Sequence, residues 1–209
     1  MQAPQTRSVQ IPLLKSYPGR TTRGTLHGAG EQAVIFSNMD TDQQMEWEPI
    51  IAALRPKGYQ LLSYNYLQYE EEQSRVLEDA IAFMGSAGAA RIILIGASRG
   101  GVASVKVAAQ AVKNDDIVGL AALSAPIEHD GSVFYASEEL RTIAIPTLLI
   151  NSESDEGAGD SRTMYELFSE PKELLFYPGD AHGTELFAAN RSSLVEKLKS
   201  FIESVFAGC

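Results

Sequence analysis

The chain has 209 residues, of which 44% are hydrophobic and 21% are charged, and its formal net charge is −10. This length and composition predict one globular domain over residues 1–209 that can bury a three-layer core. The negative charge argues against a protein that binds nucleic-acid backbones, and the apolar runs are too short for a membrane span.

Cysteine and histidine are scarce. The single cysteine, Cys209, stands at the C-terminus, so an intrachain disulfide is excluded. With three histidines and one terminal cysteine, a structural zinc site of the usual Cys/His type is excluded as well. The first ten residues, MQAPQTRSVQ, contain no apolar signal core. We therefore expect a cytoplasmic protein without a metal, although a mature exported domain has the same features.

The chain opens with two short patterned stretches, Ser8–Leu14 and Thr21–His27, separated by a Pro-Gly turn. They predict a β-hairpin. Six short runs follow that are apolar on both faces, which is typical of strands buried on both sides of a parallel sheet. These runs are Ala33–Asn38, Gln60–Tyr64, Arg91–Gly96, Val118–Ser124, Thr147–Asn151 and Glu173–Tyr177.

Helical patterns alternate with these runs, and Ser192–Phe206 carries a clear apolar stripe. The alternation predicts an α/β fold with a mostly parallel, doubly wound sheet and an antiparallel N-terminal hairpin. The irregular connection Pro126–Ile145 has room for a small lid or a short helix, and no insertion is large enough for a cap domain. The predicted helices are Trp47–Lys57, Glu71–Gly85, Arg99–Lys113, Ser161–Phe168 and Ser192–Phe206.

The run Ile92–Ile95 stops on the sequence GASRG, which fits the pattern G-x-S-x-G and centres on Ser98. In open α/β sheets, ligands bind at the carboxyl ends of the strands. A sharp strand-to-helix turn there exposes the serine hydroxyl as a nucleophile, and the amides that begin the next helix can stabilise an oxyanion. Two alternatives stay open: a turn with an idle serine, and a nucleotide-binding turn, for which Asp115 and Asp116 come at the right count but before the next strand rather than at its end.

A serine nucleophile needs a base, and three histidines are available. His182 follows the last strand in the sequence YPGDAHG, again at a carboxyl end, and is the best candidate. His27 lies in an expected hairpin turn and His129 in the irregular connection. A histidine that only caps its loop is the alternative for His182.

The base in turn needs an acid to orient it. Asp155 follows the strand Thr147–Asn151, and the order Ser98, Asp155, His182 is the nucleophile–acid–histidine order expected for this turn. The alternatives for the acid are Glu153, Asp160, Asp180, Glu128 and Asp130.

These segments resemble the α/β-hydrolase superfamily, in particular its small cap-less members of the dienelactone-hydrolase-like type. The resemblance extends from AVIFSNMDTDQQMEWEPIIAAL to the C-terminal helix. GASRGG resembles the nucleophile elbow, IPTLLINSESD the segment ending in the catalytic acid, YPGDAHG the histidine loop, and VLEDAIAFM the helix before the elbow strand. The resemblance implies the α/β-hydrolase fold, with Ser98 as nucleophile, Asp155 as acid, His182 as base and no cofactor.

The chain departs from the family at two places. The family often has His-Gly after the strand that supplies the oxyanion loop, where this chain has Ser37-Asn38. By position, the backbone amides of Met39 and Arg99 then form the oxyanion hole. Dienelactone hydrolase itself uses a cysteine nucleophile, so its substrate is not carried over to Ser98.

The implied activity is hydrolysis of small to medium carboxylic esters, with a small molecule as the binding partner. Alternatives are a thioesterase, an acyltransferase or a peptidase on the same residues, or a non-catalytic binding protein. Arg99 either meets an acidic group of the substrate or simply begins its helix. Pocket walls are expected from aromatic residues near strand ends and in the long connection, although these can equally be core or surface residues. They are Trp47, Tyr64, Tyr66, Phe134 and Tyr135, with Met39 beside them.

Overall fold

The computed structural model describes residues 6–40, 43–67, 72–110 and 116–208, and within these it contains ten strands and six helices. The strands are β1 (Thr6–Leu13), β2 (Arg20–His27), β3 (Gln32–Ser37), β4 (Gln60–Tyr64), β5 (Arg91–Ala97), β6 (Ile117–Leu123), β7 (Glu128–His129), β8 (Ser132–Val133), β9 (Thr147–Ser152) and β10 (Lys172–Tyr177). The helices are α1 (Glu48–Leu54), α2 (Gln73–Ser86), α3 (Arg99–Gln110), α4 (Ser137–Leu140), α5 (Ala158–Leu167) and α6 (Leu186–Ala207).

Eight of the strands form one sheet in the order β1-β2-β4-β3-β5-β6-β9-β10. The hairpin β1–β2 is antiparallel and β2 also pairs antiparallel with β4, whereas the other pairs are parallel. The predicted mostly parallel sheet with an antiparallel N-terminal hairpin is therefore confirmed. Because the parallel strands all run the same way, their carboxyl ends lie along one edge of the sheet.

Both faces of the sheet are covered. On β5, Ile92 and Leu94 pack into a cluster with α2 and α3, while Ile93 and Ile95 pack into a second cluster with α1 and α6. Successive side chains of a strand point to opposite faces, so two apolar layers require the continuous apolar runs seen in the sequence.

Two helices begin earlier than the sequence pattern predicts, α5 at Ala158 instead of Ser161 and α6 at Leu186 instead of Ser192. Helix α6 starts at Leu186, because a 3₁₀ turn at Gly183–Glu185 leads directly into it and its first turn buries Leu186 and Phe187. Asn190 interrupts the helical geometry with φ −133° and ψ 31°, which hides this first turn from the apolar periodicity. The predicted start of the helix Glu71–Gly85 and the predicted end of the helix Arg99–Lys113 lie outside the described residues.

The irregular connection after β6 contains a small hairpin, β7–β8, and the single turn α4. Asp160 on α5 holds the base of this hairpin, since its Oδ2 accepts a hydrogen bond of 2.7 Å from the Ile127 amide. The hairpin itself is exposed, so it forms a rim beside the sheet edge. In the described part of the chain, no helix has both the length and the apolar character to cross a membrane.

Candidate active site

The turn after β5 holds Ser98 in an unusual backbone conformation. Its φ is +49°, in the left-handed region that residues with a side chain rarely adopt. The Ser98 amide donates to the Leu123 carbonyl at 2.8 Å, and its own carbonyl accepts from the Val102 amide at 2.8 Å, which starts α3. Backbone strain of this kind is concentrated at functional sites, and here it lifts the hydroxyl above the sheet edge.

Two glycines make this turn possible because other backbone segments pass very close to them. A Cβ on Gly96 would overlap the Gly100 carbonyl. A Cβ on Gly100 would lie 2.5 Å from the Asn38 carbonyl oxygen and nearer still to that of Ser37. The first position of the G-x-S-x-G pattern is therefore fixed by the start of α3, and the last position by the loop that follows β3.

His182 brings Ser98 and Asp155 together. Its Nε2 lies 2.8 Å from Ser98 Oγ, and its Nδ1 lies 2.6 Å from Asp155 Oδ2. The side chain of Asp155 is 2% exposed and that of His182 is 35% exposed. A neutral ring protonated at Nδ1 donates to the carboxylate and leaves Nε2 to accept the serine proton.

The turn that carries Asp155 also supports its charge. Asp155 Oδ1 accepts a hydrogen bond of 2.7 Å from the Gly157 amide, so each carboxylate oxygen has a partner. The structure places this acid, rather than its alternatives, on His182. Asp160 instead binds the Ile127 amide, and the remaining alternatives are exposed: Glu153, Asp180, Glu128 and Asp130.

The other two histidines lie elsewhere. His27 is 4% exposed at the end of β2, where its Nδ1 lies 2.8 Å from Thr6 Oγ1. Burial, together with the positive charge of Arg55, lowers its pKa. His129 lies on the rim hairpin, 3.5 Å from Asp130.

A cleft of about 590 Å³ opens above Ser98 and His182, and it differs from the aromatic pocket expected from the sequence. Of the five expected aromatic residues, Phe134 lines the cleft, and Met39 does so as well. The other four are at most 4% exposed and do not line it: Trp47, Tyr64, Tyr66 and Tyr135. Their ring positions on inward faces explain the difference, because a residue near a strand end can still point into the core.

Three of these buried aromatics hold the loop after β3. The Trp47 indole donates to Asn38 Oδ1 at 3.1 Å, the Tyr66 hydroxyl donates to the Asn38 carbonyl at 3.1 Å, and Asn38 Nδ2 donates to the Tyr64 carbonyl at 2.7 Å. Burial raises the pKa of Tyr66 well above its usual range, which keeps its hydroxyl a donor. Asn38 thus fixes the backbone directly before Met39.

Met39 and Arg99 both line the cleft beside Ser98. Arg99 is the first residue of α3, whose opening turn directs backbone N–H groups toward this edge. That the backbone amides of Met39 and Arg99 form an oxyanion hole stays a prediction.

For the alternative of nucleotide binding, Asp115 lies outside the described residues.

Two buried polar residues of the site went unrecognised in the sequence, Ser124 and Asn151. The Ser124 hydroxyl donates to Asn151 Oδ1 at 2.8 Å and accepts from the Gly183 amide at 3.0 Å. The available signal was a polar residue at the carboxyl end of each apolar run, LAALS and LLIN.

Among the described residues, no three His, Cys, Asp or Glu side chains are grouped so as to hold a metal ion.

The chain is similar to known proteins in its fold. No protein-family model matches the chain, and neither does any curated protein. Among solved structures, an esterase from Pyrococcus furiosus matches with a TM-score of 0.77 and 15% identity, over 96% of this chain and 92% of that one. A dienelactone hydrolase from Anabaena variabilis matches with a TM-score of 0.78 and 16% identity, over 97% and 99%. The esterase domain of a Rhodothermus marinus protein matches with a TM-score of 0.74 and 17% identity, over 94% and 97%.

Proposed function

Because the chain has the α/β-hydrolase fold and carries a hydrogen-bonded Ser98, His182 and Asp155 at the carboxyl edge of its sheet, we propose that it is a serine hydrolase of the carboxylesterase type. Its substrate is a small to medium carboxylic ester. The observation that carries this proposal is the bond of 2.8 Å between His182 Nε2 and Ser98 Oγ, with Asp155 on the far side of the ring.

In the proposed reaction, Ser98 Oγ attacks the ester carbonyl carbon while His182 Nε2 takes the hydroxyl proton. Asp155 holds the ring and stabilises its positive charge. The backbone amides of Met39 and Arg99 stabilise the oxyanion. The carbon–oxygen bond to the alcohol then breaks, and His182 returns its proton to the leaving alcohol. Water, activated by the same ring, hydrolyses the acyl-enzyme and releases the acid, and no step uses a metal or an organic cofactor.

The proposal is tested by reaction of the wild-type protein with a fluorophosphonate probe, followed by kinetics on matched ester, thioester and amide substrates. We expect one covalent label, located on Ser98 by peptide mass spectrometry, and the highest kcat/KM with the ester. Preference for the thioester or amide would favour a thioesterase or peptidase. Absence of labelling in a folded protein would favour the non-catalytic binding protein.

Charge in the cleft predicts a selectivity among esters. Five carboxylates line it against one arginine, and an acidic surface repels anions most strongly at low ionic strength. We expect 4-nitrophenyl hemisuccinate to have a kcat/KM about tenfold below that of 4-nitrophenyl butyrate in low salt, with the gap closing in 0.5 M salt. The five carboxylates belong to Asp40, Glu128, Asp130, Glu156 and Asp160.

The matched variants are Glu128→Gln with Asp130→Asn on the rim, and Glu196→Gln on the surface of α6. Neutralising the rim pair should narrow the gap between the two esters, while Glu196→Gln should leave it unchanged. An equal or faster rate with the hemisuccinate would contradict the prediction and would indicate that Arg99 receives the substrate's carboxylate.

A further inference from the structure

The backbone around His182 is held at three consecutive residues by side chains, two of which come from other parts of the chain. The Ser152 hydroxyl donates to the Ala181 carbonyl at 2.6 Å. The His182 amide donates to Glu185 Oε2 at 3.1 Å. The Gly183 amide donates to the Ser124 hydroxyl at 3.0 Å. Of these supports, the last comes from Ser124, the residue that directly follows β6, which lies next to β5 in the sheet.

Ser124 has a backbone conformation that is unfavourable for a residue with a side chain. Its φ is +48°, and it is 1% exposed. Within the described residues, the non-glycine residues with such a φ are Ser98, Ser124 and the exposed Asp130. Glycine adopts this conformation without strain, so a serine at position 124 indicates that its hydroxyl is needed there.

The Ser124 hydroxyl is oriented from below by Asn151, which is fully buried on β9. Asn151 Oδ1 accepts from Ser124 Oγ at 2.8 Å, and its Nδ2 donates to Ser161 Oγ at 3.0 Å. Because Ser124 donates its one proton to Asn151, its lone pairs face the Gly183 amide. The chain Ser161–Asn151–Ser124–Gly183 therefore connects α5, close to the turn of Asp155, with the residue next to His182.

We propose that Ser124 and Asn151 are positioning residues that set the imidazole of His182 against Ser98, and this rests on the proposed serine-hydrolase function. Ser124 bonds the histidine loop and Asn151 bonds Ser124, so they act through the loop rather than on the reacting atoms. Loss of a buried hydrogen bond that positions a catalytic group is expected to lower kcat strongly. A small displacement of the base lowers the rate far more than it lowers substrate binding.

The experiment compares Ser124→Ala, Ser124→Gly and Asn151→Ala with Thr147→Val. Thr147 is a matched control, since it is 2% exposed at the opposite end of β9 and its hydroxyl donates to the Ile145 carbonyl at 2.9 Å. We expect kcat to fall about tenfold to a hundredfold in the three network variants, with KM within about twofold of wild type. Thr147→Val should lose stability but keep kcat.

Two further readouts separate positioning from mere stability. Glycine relieves the strained φ, so Ser124→Gly should unfold at a higher temperature than Ser124→Ala while losing the same kcat. The double variant Ser124→Ala with Asn151→Ala should be no slower than the worse single variant, because both break one network. Unchanged kcat, or kcat that follows the melting temperature across all variants, would overturn the proposal.

The downfield proton resonance of His182 Nδ1–H gives a readout that does not need turnover. It should shift or broaden in the network variants and stay unchanged in Thr147→Val. If the wild-type protein neither labels nor hydrolyses esters, the proposed function fails. In that case an unaltered resonance in Ser124→Ala would refute the positioning role, and a displaced one would support it.

Discussion

Ser98→Ala is expected to lower kcat by about 10⁵-fold or more while leaving the protein folded. In the proposed reaction the Ser98 hydroxyl forms the acyl-enzyme, and it lies 2.8 Å from the ring nitrogen of His182 that would take its proton. The measurement is kcat on 4-nitrophenyl butyrate, with fluorophosphonate labelling of the same sample.

The control is Ser193→Ala, which removes an exposed hydroxyl on α6 that bonds only the local Asn190 carbonyl. It should keep full activity, and both variants should show the melting temperature of wild type within a few degrees. Ester turnover by Ser98→Ala at more than about a hundredth of the wild-type rate would mean that another group is the nucleophile.

Gly100→Ala is expected to destabilise the protein severely. Its methyl group would overlap the carbonyl oxygens of Ser37 and Asn38, which are backbone atoms and cannot rotate away. We expect a loss of about 3 kcal/mol or more in the free energy of unfolding, or failure to fold, together with loss of activity. Urea denaturation followed by fluorescence measures the loss.

Gly159→Ala on α5 is the matched control for Gly100→Ala. A Cβ at Gly159 meets no atom within 4 Å, so the variant should gain about 0.5–1 kcal/mol through helix propensity alone. A Gly100→Ala variant as stable as wild type would show that the elbow and the loop after β3 can move apart.

The sheet and the elbow could be predicted from the sequence because their signals are local. Runs such as RIILI and TLLIN are short and apolar on both faces, which is typical of strands buried on both sides of a parallel sheet, and the glycines of GASRG mark the sharp turn. The α/β-hydrolase fold that the resemblance implies is confirmed by the solved structures that match nearly the whole chain.

The choice of acid and the walls of the cleft depend on contacts that the sequence does not contain. Glu153 and Asp155 lie in the same acidic loop, and what separates them is burial and the bond from the Gly157 amide. Tyr64 and Tyr66 flank a strand end as expected, but their hydroxyls point inward to Ser37 and the Asn38 carbonyl. Side-chain direction at a strand end is decided by its neighbours in space.

Ser98 and His182 are 84 residues apart in the chain, and the ends of β5 and β10 meet only through β6 and β9. The proposed site is therefore assembled by a contact between residues far apart in the chain, which forms slowly because long loops must close first. Compact intermediates that have helices and the central strands alone hold no competent site. If the proposed activity is correct, its recovery during refolding should lag behind recovery of helix and should mark the docking of the last strand, β10.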